Sequence, residues 1–317
     1  MTARATLGRH SRPPVALIVL AMLVACNASE NGSPSAPSPA PTGSGDVVVP
    51  HIEGPAVVVA AGDIACDTAE SEPGACHQAA TADRVVAIDP DAVLVLGDAQ
   101  YEHGDLEDFE RYYGPTWGRF RDITFPAPGN HEYETPGAQG YFDYFGPRAP
   151  GPFYSFDLGP WHAISLNTEI GMDEGSEQVR WLLEDLTSSQ ASCTLAFWHR
   201  PRFSSGTRHG DFSPAQPLWQ ALAEAGADLV LTGHEHLYER FAQLNSGGTP
   251  GESGLRQFTA GTGGKDLYEL GAPIKGSEAR DNAHFGVLQL TLDDDGYDWA
   301  FVAEDGTVVD SGADACV

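Results

Sequence analysis

The sequence predicts an α/β fold on three patterns. Several short apolar runs rich in Val, Leu and Phe have the length of strands. Segments between them repeat apolar residues at helical spacing, and the last third turns to strands parted by tight-turn residues. The runs are apolar throughout rather than alternating, as strands covered on both faces are.

The chain opens with Arg4, Arg9 and Arg12, an apolar run over 15–25 and then Cys26. That layout predicts a secretory signal over 1–25, too short to span a bilayer. Leu23-Val24-Ala25-Cys26 resembles a bacterial lipobox, which implies an acylated Cys26 and a place on the outer face of the cell membrane, with plain secretion as the alternative. Residues 26–50 are rich in Ser, Pro and Gly, cannot bury a core, and read as a tether between membrane and domain. The remainder, 51–317, fits one α/β domain, since such domains run to ~250 residues.

Within it, five runs end at a polar residue with metal-ligand chemistry: VVVAAGD at Asp63, AVLVLGD at Asp98, TFPAPGN at Asn130, CTLAFWH at His199 and DLVLTGH at His234. Ligands of open α/β sheets bind beyond the carboxyl ends of strands, so five such ends can converge on one site. Between them, Val179, Leu182, Leu183 and Leu186 mark one helix. A second is expected to begin at Ser213 as N-cap with Pro214 in its first turn, followed by Leu218, Ala221, Leu222 and Ala225. After His236 the segments LRQFTAGTGG, HFGVLQLTL, YDWAFVAEDG and TVVDSG predict a mainly antiparallel sheet that closes a sandwich.

With 45 acidic against 17 basic residues the formal charge is −28. Nucleic acids and anionic membrane surfaces need a positive footprint and are disfavoured as partners; membrane attachment rests on lipidated Cys26 alone. A bound phosphate must be drawn by local charge such as metal ions. Besides Cys26, four cysteines remain in a chain expected to leave the cytoplasm, so disulfides are expected: Cys66 with Cys76 closing a short loop, and Cys193 with Cys316 pinning the C-terminus to a central strand.

GDIA around Asp63, GDAQY over 97–101, GNHE over 129–132, the WHRP stretch holding His199 and GHEH over 233–236 together resemble the calcineurin-like metallophosphoesterases, in the family's order. The resemblance implies a four-layer αββα sandwich with mixed sheets and a site with two metal ions. Many members carry a D-x-H first motif, but Ala65 stands at that histidine's place, and Tyr101 lies three residues after Asp98 as in the purple acid phosphatases. On that resemblance Asp63, Asp98, Tyr101 and His236 hold the first metal, and Asp98, Asn130, His199 and His234 the second, with Asp98 bridging. Phenolate and carboxylates suit Fe(III) in the first position; a divalent ion, Zn, Mn or Fe, is implied in the second. Two cations ~3.5–4 Å apart serve hydrolysis of a phosphate monoester by metal-bound hydroxide. His131 and His209 are implied as active-site histidines, and His103 is a candidate from nearness alone.

Each motif by itself has a plainer reading: Gly-Asp as a turn, His199 as a core histidine, Tyr101 as packing, GTGG over 261–264 as a tight turn rather than a phosphate cradle. The small phosphate-ester substrate implied by the full set leaves two alternatives: a phosphodiesterase acting on nucleotides or phospholipid headgroups, and a surface binding protein without turnover.

Overall fold

The computed structural model describes residues 54–66, 76–251 and 253–316, with Met1, Val47, Val49 and Ile52. The expected signal, Cys26 and most of the tether lie outside the described residues.

The five runs form β1 (Ala56–Ala61), β2 (Ala92–Leu96), β3 (Thr124–Ala127), β6 (Cys193–Phe197) and β7 (Leu229–Thr232). Between β3 and β6 lie β4 (Tyr154–Leu158) and β5 (Trp161–Ser165). The C-terminal part supplies β8 (Tyr238–Leu244), β9 (Leu255–Ala260), β10 (Ser277–Asp281), β11 (Gly286–Leu292), β12 (Gly296–Ala303) and β13 (Val308–Ala315). Helices are α1 (Gln78–Ile88), the single turn α2 (Leu106–Asp108), α3 (Gln139–Phe145), α4 (Glu177–Ser188) and α5 (Gln216–Ala225).

Two mixed sheets result, ordered β13-β12-β11-β1-β2-β3 and β10-β8-β9-β7-β6-β5-β4. In the first, β1, β2 and β3 run parallel, β11 pairs antiparallel with β1, and β12 and β13 continue as an antiparallel meander. In the second, β5, β6, β7 and β9 run parallel. The strands after His236 therefore do not make a sheet of their own. They divide between both sheets, and β9 joins parallel to β7, because the central strands leave an open edge on each sheet that pairing must cover.

Period-two side-chain alternation explains the layers. Val58, Ala60, Leu94 and Leu96 face Leu195, Phe197, Leu229 and Leu231 between the sheets. Val59, Ala61, Val93 and Val95 point the other way, onto Ala82 and Val85 of α1 and aromatic residues of the 109–145 region. Ala196, Trp198 and Val230 meet Val179 and Leu182 of α4 and Leu218 and Leu222 of α5. This is the expected αββα sandwich, and the apolar runs lack alternation because both faces are covered. Each Val or Leu so enclosed contributes ~1.5–3 kcal/mol.

Ser176 caps α4, its Oγ accepting from the Val179 amide at 3.2 Å. The next helix differs from expectation. Ser213 opens a separate 3-10 turn, Ser213–Ala215, without capping through its side chain, and α5 begins after it with Pro217 in its first turn. Two prolines close together satisfy the start rule twice, and the chain uses the second for the α-helix.

The bonds Cys66–Cys76 and Cys193–Cys316 are both present. The second ties the end of β13, in one sheet, to β6 in the other. Nearby, Asp310 of β13 accepts from Tyr238 and Arg240 of β8, and Asp314 from Arg256 of β9, at 2.7 to 2.9 Å.

Candidate metal centre

Strands β1, β2 and β3 point their carboxyl ends toward the seam where β6 and β7 of the other sheet also end, and the residue just beyond each strand enters one cluster. Asp63 and Asp98 sit side by side there: the Asp63 amide donates to the Gly97 carbonyl at 3.1 Å and the Ile64 amide to that of Asp98 at 3.0 Å. Asp63, Asp98 and His234 have φ of 59°, 46° and 69°. Three non-glycine residues in the left-handed region mark backbone shaped for what the side chains do. Gly97, at φ 80°, has a second reason to lack a side chain, since a Cβ there would meet His199 Nδ1. A Cβ on Gly129 would run into the Asp98 carboxylate.

One oxygen of each aspartate is held by backbone and the other turned inward. Asp63 Oδ2 accepts from the His234 amide at 2.8 Å, and Asp98 Oδ1 from the His131 amide at 2.9 Å. Around Tyr101 Oη then lie Asp63 Oδ1 at 2.8 Å, His236 Nε2 at 2.9 Å and Asp98 Oδ2 at 3.1 Å. On the other side of Asp98 Oδ2 stands His199 Nε2 at 3.0 Å, with His234 Nδ1 at 3.1 Å from that nitrogen. Asp98, His199 and His234 form a buried group spaced as metal ligands are. His199 and His236 lean their Nδ1 atoms on the carbonyls of Leu96 at 2.9 Å and Asp266 at 2.6 Å, which turns Nε2 into the cluster. The side-chain oxygen of Asn130 is buried and has no hydrogen-bond partner among the described residues.

Burial and mutual charge act strongly on these groups. Burial opposes charge on His199, but Asp98 beside it outweighs burial and lifts the imidazole to about 10. Burial would raise Asp98 too, yet the charge and hydrogen bond of His199, with His131 behind, hold it below the usual carboxylate range. Tyr101 is raised by burial and by the charges of Asp63 and Asp98. His234 is lowered by burial and by the charges of His199 and Arg200. The donor set fits metal ions, with the orphaned Asn130 oxygen as one further ligand atom.

The expected active-site histidines flank the cluster. His131 hydrogen bonds through Nδ1 to the Glu102 carbonyl at 2.6 Å, its Nε2 lies 3.9 Å from Asp98 Oδ2, and its ring is 4.2 Å from that of Tyr101. His209 places its ring 4.1 Å from that of His234. It reaches solvent, and the part of the ring that is covered, with the charges of Arg208 and His236, lowers its pKa. His103 is exposed as well, and the loop uses its carbonyl, which accepts from Thr135 Oγ1 at 2.6 Å.

Supporting residues escaped the sequence reading. Glu132, fully buried, accepts from the amides of Asp98 at 2.9 Å, Gly129 at 2.7 Å and Gln100 at 3.2 Å, so one carboxylate joins the loops after β2 and β3. Arg200 pairs with Glu169 at 2.7 Å and reaches His234 Nε2 at 3.1 Å. Lys265 pairs with Glu102 at 2.7 Å and stands 4.8 Å over the Tyr101 ring. Lys265 follows the GTGG segment, which packs against the loop after β1: the Gly263 amide donates to the Gly62 carbonyl at 3.0 Å. Only the local signal at Glu132, three residues after Gly129, was open to sequence inspection.

A mixed-sheet αββα sandwich with carboxylates and imidazoles gathered at the strand ends is the class of architecture used by metal-dependent phosphoesterases. The chain belongs to the calcineurin-like phosphoesterase family, whose model matches residues 56–238. It is 32% identical over 192 residues to purple acid phosphatase 15 of Arabidopsis thaliana, covering 48% of this chain and 36% of that protein. To acid phosphatase type 7 of Homo sapiens it is 33% identical over 180 residues, 47% of this chain and 40% of the other. Among solved structures, the purple acid phosphatase PPD1 from yellow lupin superposes with a TM-score of 0.71 at 21% identity, over 83% of this chain and 54% of that one, a likeness of fold. The chain spans between 36% and 56% of the length of three of the curated relatives it matches.

Proposed function

We propose that the chain is an exported, metal-dependent phosphatase of purple acid phosphatase type, acting on phosphate monoesters. The observation that carries the reading is the double cluster: two groups of inward-turned donors that share Asp98 Oδ2, with the Asn130 oxygen left without a partner beside them. Asp63, Asp98, Tyr101 and His236 would hold one ion, and Asp98, Asn130, His199 and His234 the other. The phenolate and carboxylates favour Fe(III) at the first position, and the imidazoles with an amide oxygen suit Zn, Mn or Fe(II) at the second.

When bound, such a pair supplies Lewis acidity and an activated water for in-line displacement at phosphorus. The protein's part is to hold and to move protons. His131, fixed through Nδ1 on the Glu102 carbonyl, presents Nε2 toward the site as hydrogen-bond donor to the phosphoryl group or proton donor to the leaving oxygen. His209 stands on the opposite side, against His234, for the same kind of work. Arg200 donates to His234 Nε2, which leaves Nδ1 beside His199 and would orient this imidazole within the site. The disulfides suit an oxidising compartment, and no helix among the described residues is long and apolar enough to cross a membrane. Attachment through Cys26 belongs to the same proposal, with residues 26–50 as tether and 51–317 as the catalytic domain.

Metal analysis, a visible spectrum and hydrolysis of p-nitrophenyl phosphate test it together. Two ions per chain, a tyrosinate-to-iron band that vanishes in Tyr101→Phe, and turnover are expected. One ion or none, with no turnover, sinks the reading. Faster hydrolysis of bis(p-nitrophenyl) phosphate than of the monoester would instead make the chain a phosphodiesterase.

A further inference from the structure

Among the described residues, cations on the loops around the cluster differ in whether a carboxylate engages them. Arg200 is engaged by Glu169 at 2.7 and 3.1 Å, Lys265 by Glu102 at 2.7 Å, and Arg202 has Asp211 at 3.9 Å. Arg208 is exposed and has no carboxylate within 4.0 Å among the described residues. Its guanidinium instead lies 4.7 Å from the centre of the Tyr268 ring. That ring is stacked on His236, with centroids 3.8 Å apart and planes within 11°. Tyr268 therefore touches both, and the three side chains form a row from His236, a proposed metal ligand, through Tyr268 to the exposed Arg208.

Backbone hydrogen bonds hold both ends of this row. The Tyr268 amide donates to the His236 carbonyl at 2.8 Å. The amides next to Arg208, those of His209 and Gly210, both donate to Glu235 Oε1, at 2.7 and 2.6 Å. A planar guanidinium held in this way, without a carboxylate to neutralise it, is suited to bidentate contact with a phosphate group. In a chain of net charge −28 such a contact point stands out from an otherwise repelling field.

We propose that Arg208, shelved on Tyr268, forms a subsite for a second phosphate of the substrate, so that the chain prefers small molecules carrying another phosphate a few ångströms from the one cleaved. This rests on the phosphatase reading and deepens it.

The test uses the metal-reconstituted full chain and a pair of substrates that differ only in the second group, 3-hydroxypropyl phosphate and propane-1,3-diyl bisphosphate. In the wild type, kcat/KM for the bisphosphate is expected to exceed that for the monophosphate about tenfold beyond the statistical factor for two ends. In Arg208→Gln that ratio is expected to fall about tenfold, mainly through KM. An unchanged ratio in the variant overturns the proposal. Failure of the wild type to turn over either compound counts against the phosphatase reading instead. Calorimetric titration of the metal-loaded protein with the bisphosphate and with inorganic phosphate then decides on Arg208: binding of the bisphosphate that weakens selectively in Arg208→Gln supports it, and equal binding refutes it.

Discussion

Glu132 carries more than its place beside a ligand motif suggests. Its two carboxylate oxygens take three backbone amides from two different loops, and burial pushes its pKa up to about 7. Glu132→Gln keeps the volume but turns an amide group toward backbone donors. The expected cost is about 1.5–3 kcal/mol of stability, the scale of hydrogen bonds to charged groups, with ~10–100-fold weaker metal binding, as for other groups that orient ligands. Urea unfolding and metal titration by equilibrium dialysis measure both, and unchanged values would deny Glu132 this role. At this scale the sequence was informative where chemistry sits at the end of a strand. Asp63, Asp98, His199 and His234 follow their strands by two residues, so periodicity and ligand type coincide. Arg200 with Glu169, Lys265 with Glu102 and Arg208 on Tyr268 each join loops far apart in the chain. Nothing in the local sequence pairs them.

Between elements, His162 on β5 joins two others: its Nε2 lies 2.7 Å from Asp185 of α4 and its Nδ1 3.1 Å from Asp157 of β4. Burial opposes its charge, but the hydrogen bonds and charges of Asp185 and Asp157 outweigh burial and raise its pKa above 6.5. A histidine raised in the folded state contributes its stability in full below the unfolded value of ~6.5 and loses it as pH climbs through the folded value. The difference in Tm between wild type and His162→Gln should therefore be greatest below about pH 6.5 and shrink as pH rises through the raised folded value. A gap that widens with rising pH would contradict this. Elements were legible as strands and helices because both faces of the central strands are apolar. The partition of β8 to β13 between two sheets was not, since edge pairing depends on which edges stand open in three dimensions. The start of α5 misled for a local reason: Pro214 and Pro217 offer the same signal.

For the molecule as a whole, the charge of −28 sets a repelling field against any phosphate ester. At ~0.01 M salt the Debye length is ~30 Å and the field reaches well into solution, whereas at ~0.15 M it is ~8 Å. kcat/KM for a dianionic monoester should rise over that range of salt, as stopped-flow or initial-rate assays would read. A fall would mean that the cations at the mouth govern approach. This much was legible from composition. That the proposed ligands come from both sheets was not, because it depends on how the sandwich closes.

That origin has a consequence for folding. Asp63, Asp98, Tyr101 and Asn130 belong to one sheet's strand ends, and His199, His234 and His236 to the other's, so any ion held by them is a cross-link whose affinity is stored as resistance to unfolding. At a free ion concentration of ~100 Kd each site adds about 2.7 kcal/mol, and at ~1,000 Kd about 4.1 kcal/mol. Chelation should then lower Tm by several degrees and return of the ions restore it, with a midpoint that tracks free metal. Scarcity of metal would thus shorten the protein's lifetime before it slowed its chemistry, and abundance of the folded chain would report on metal supply.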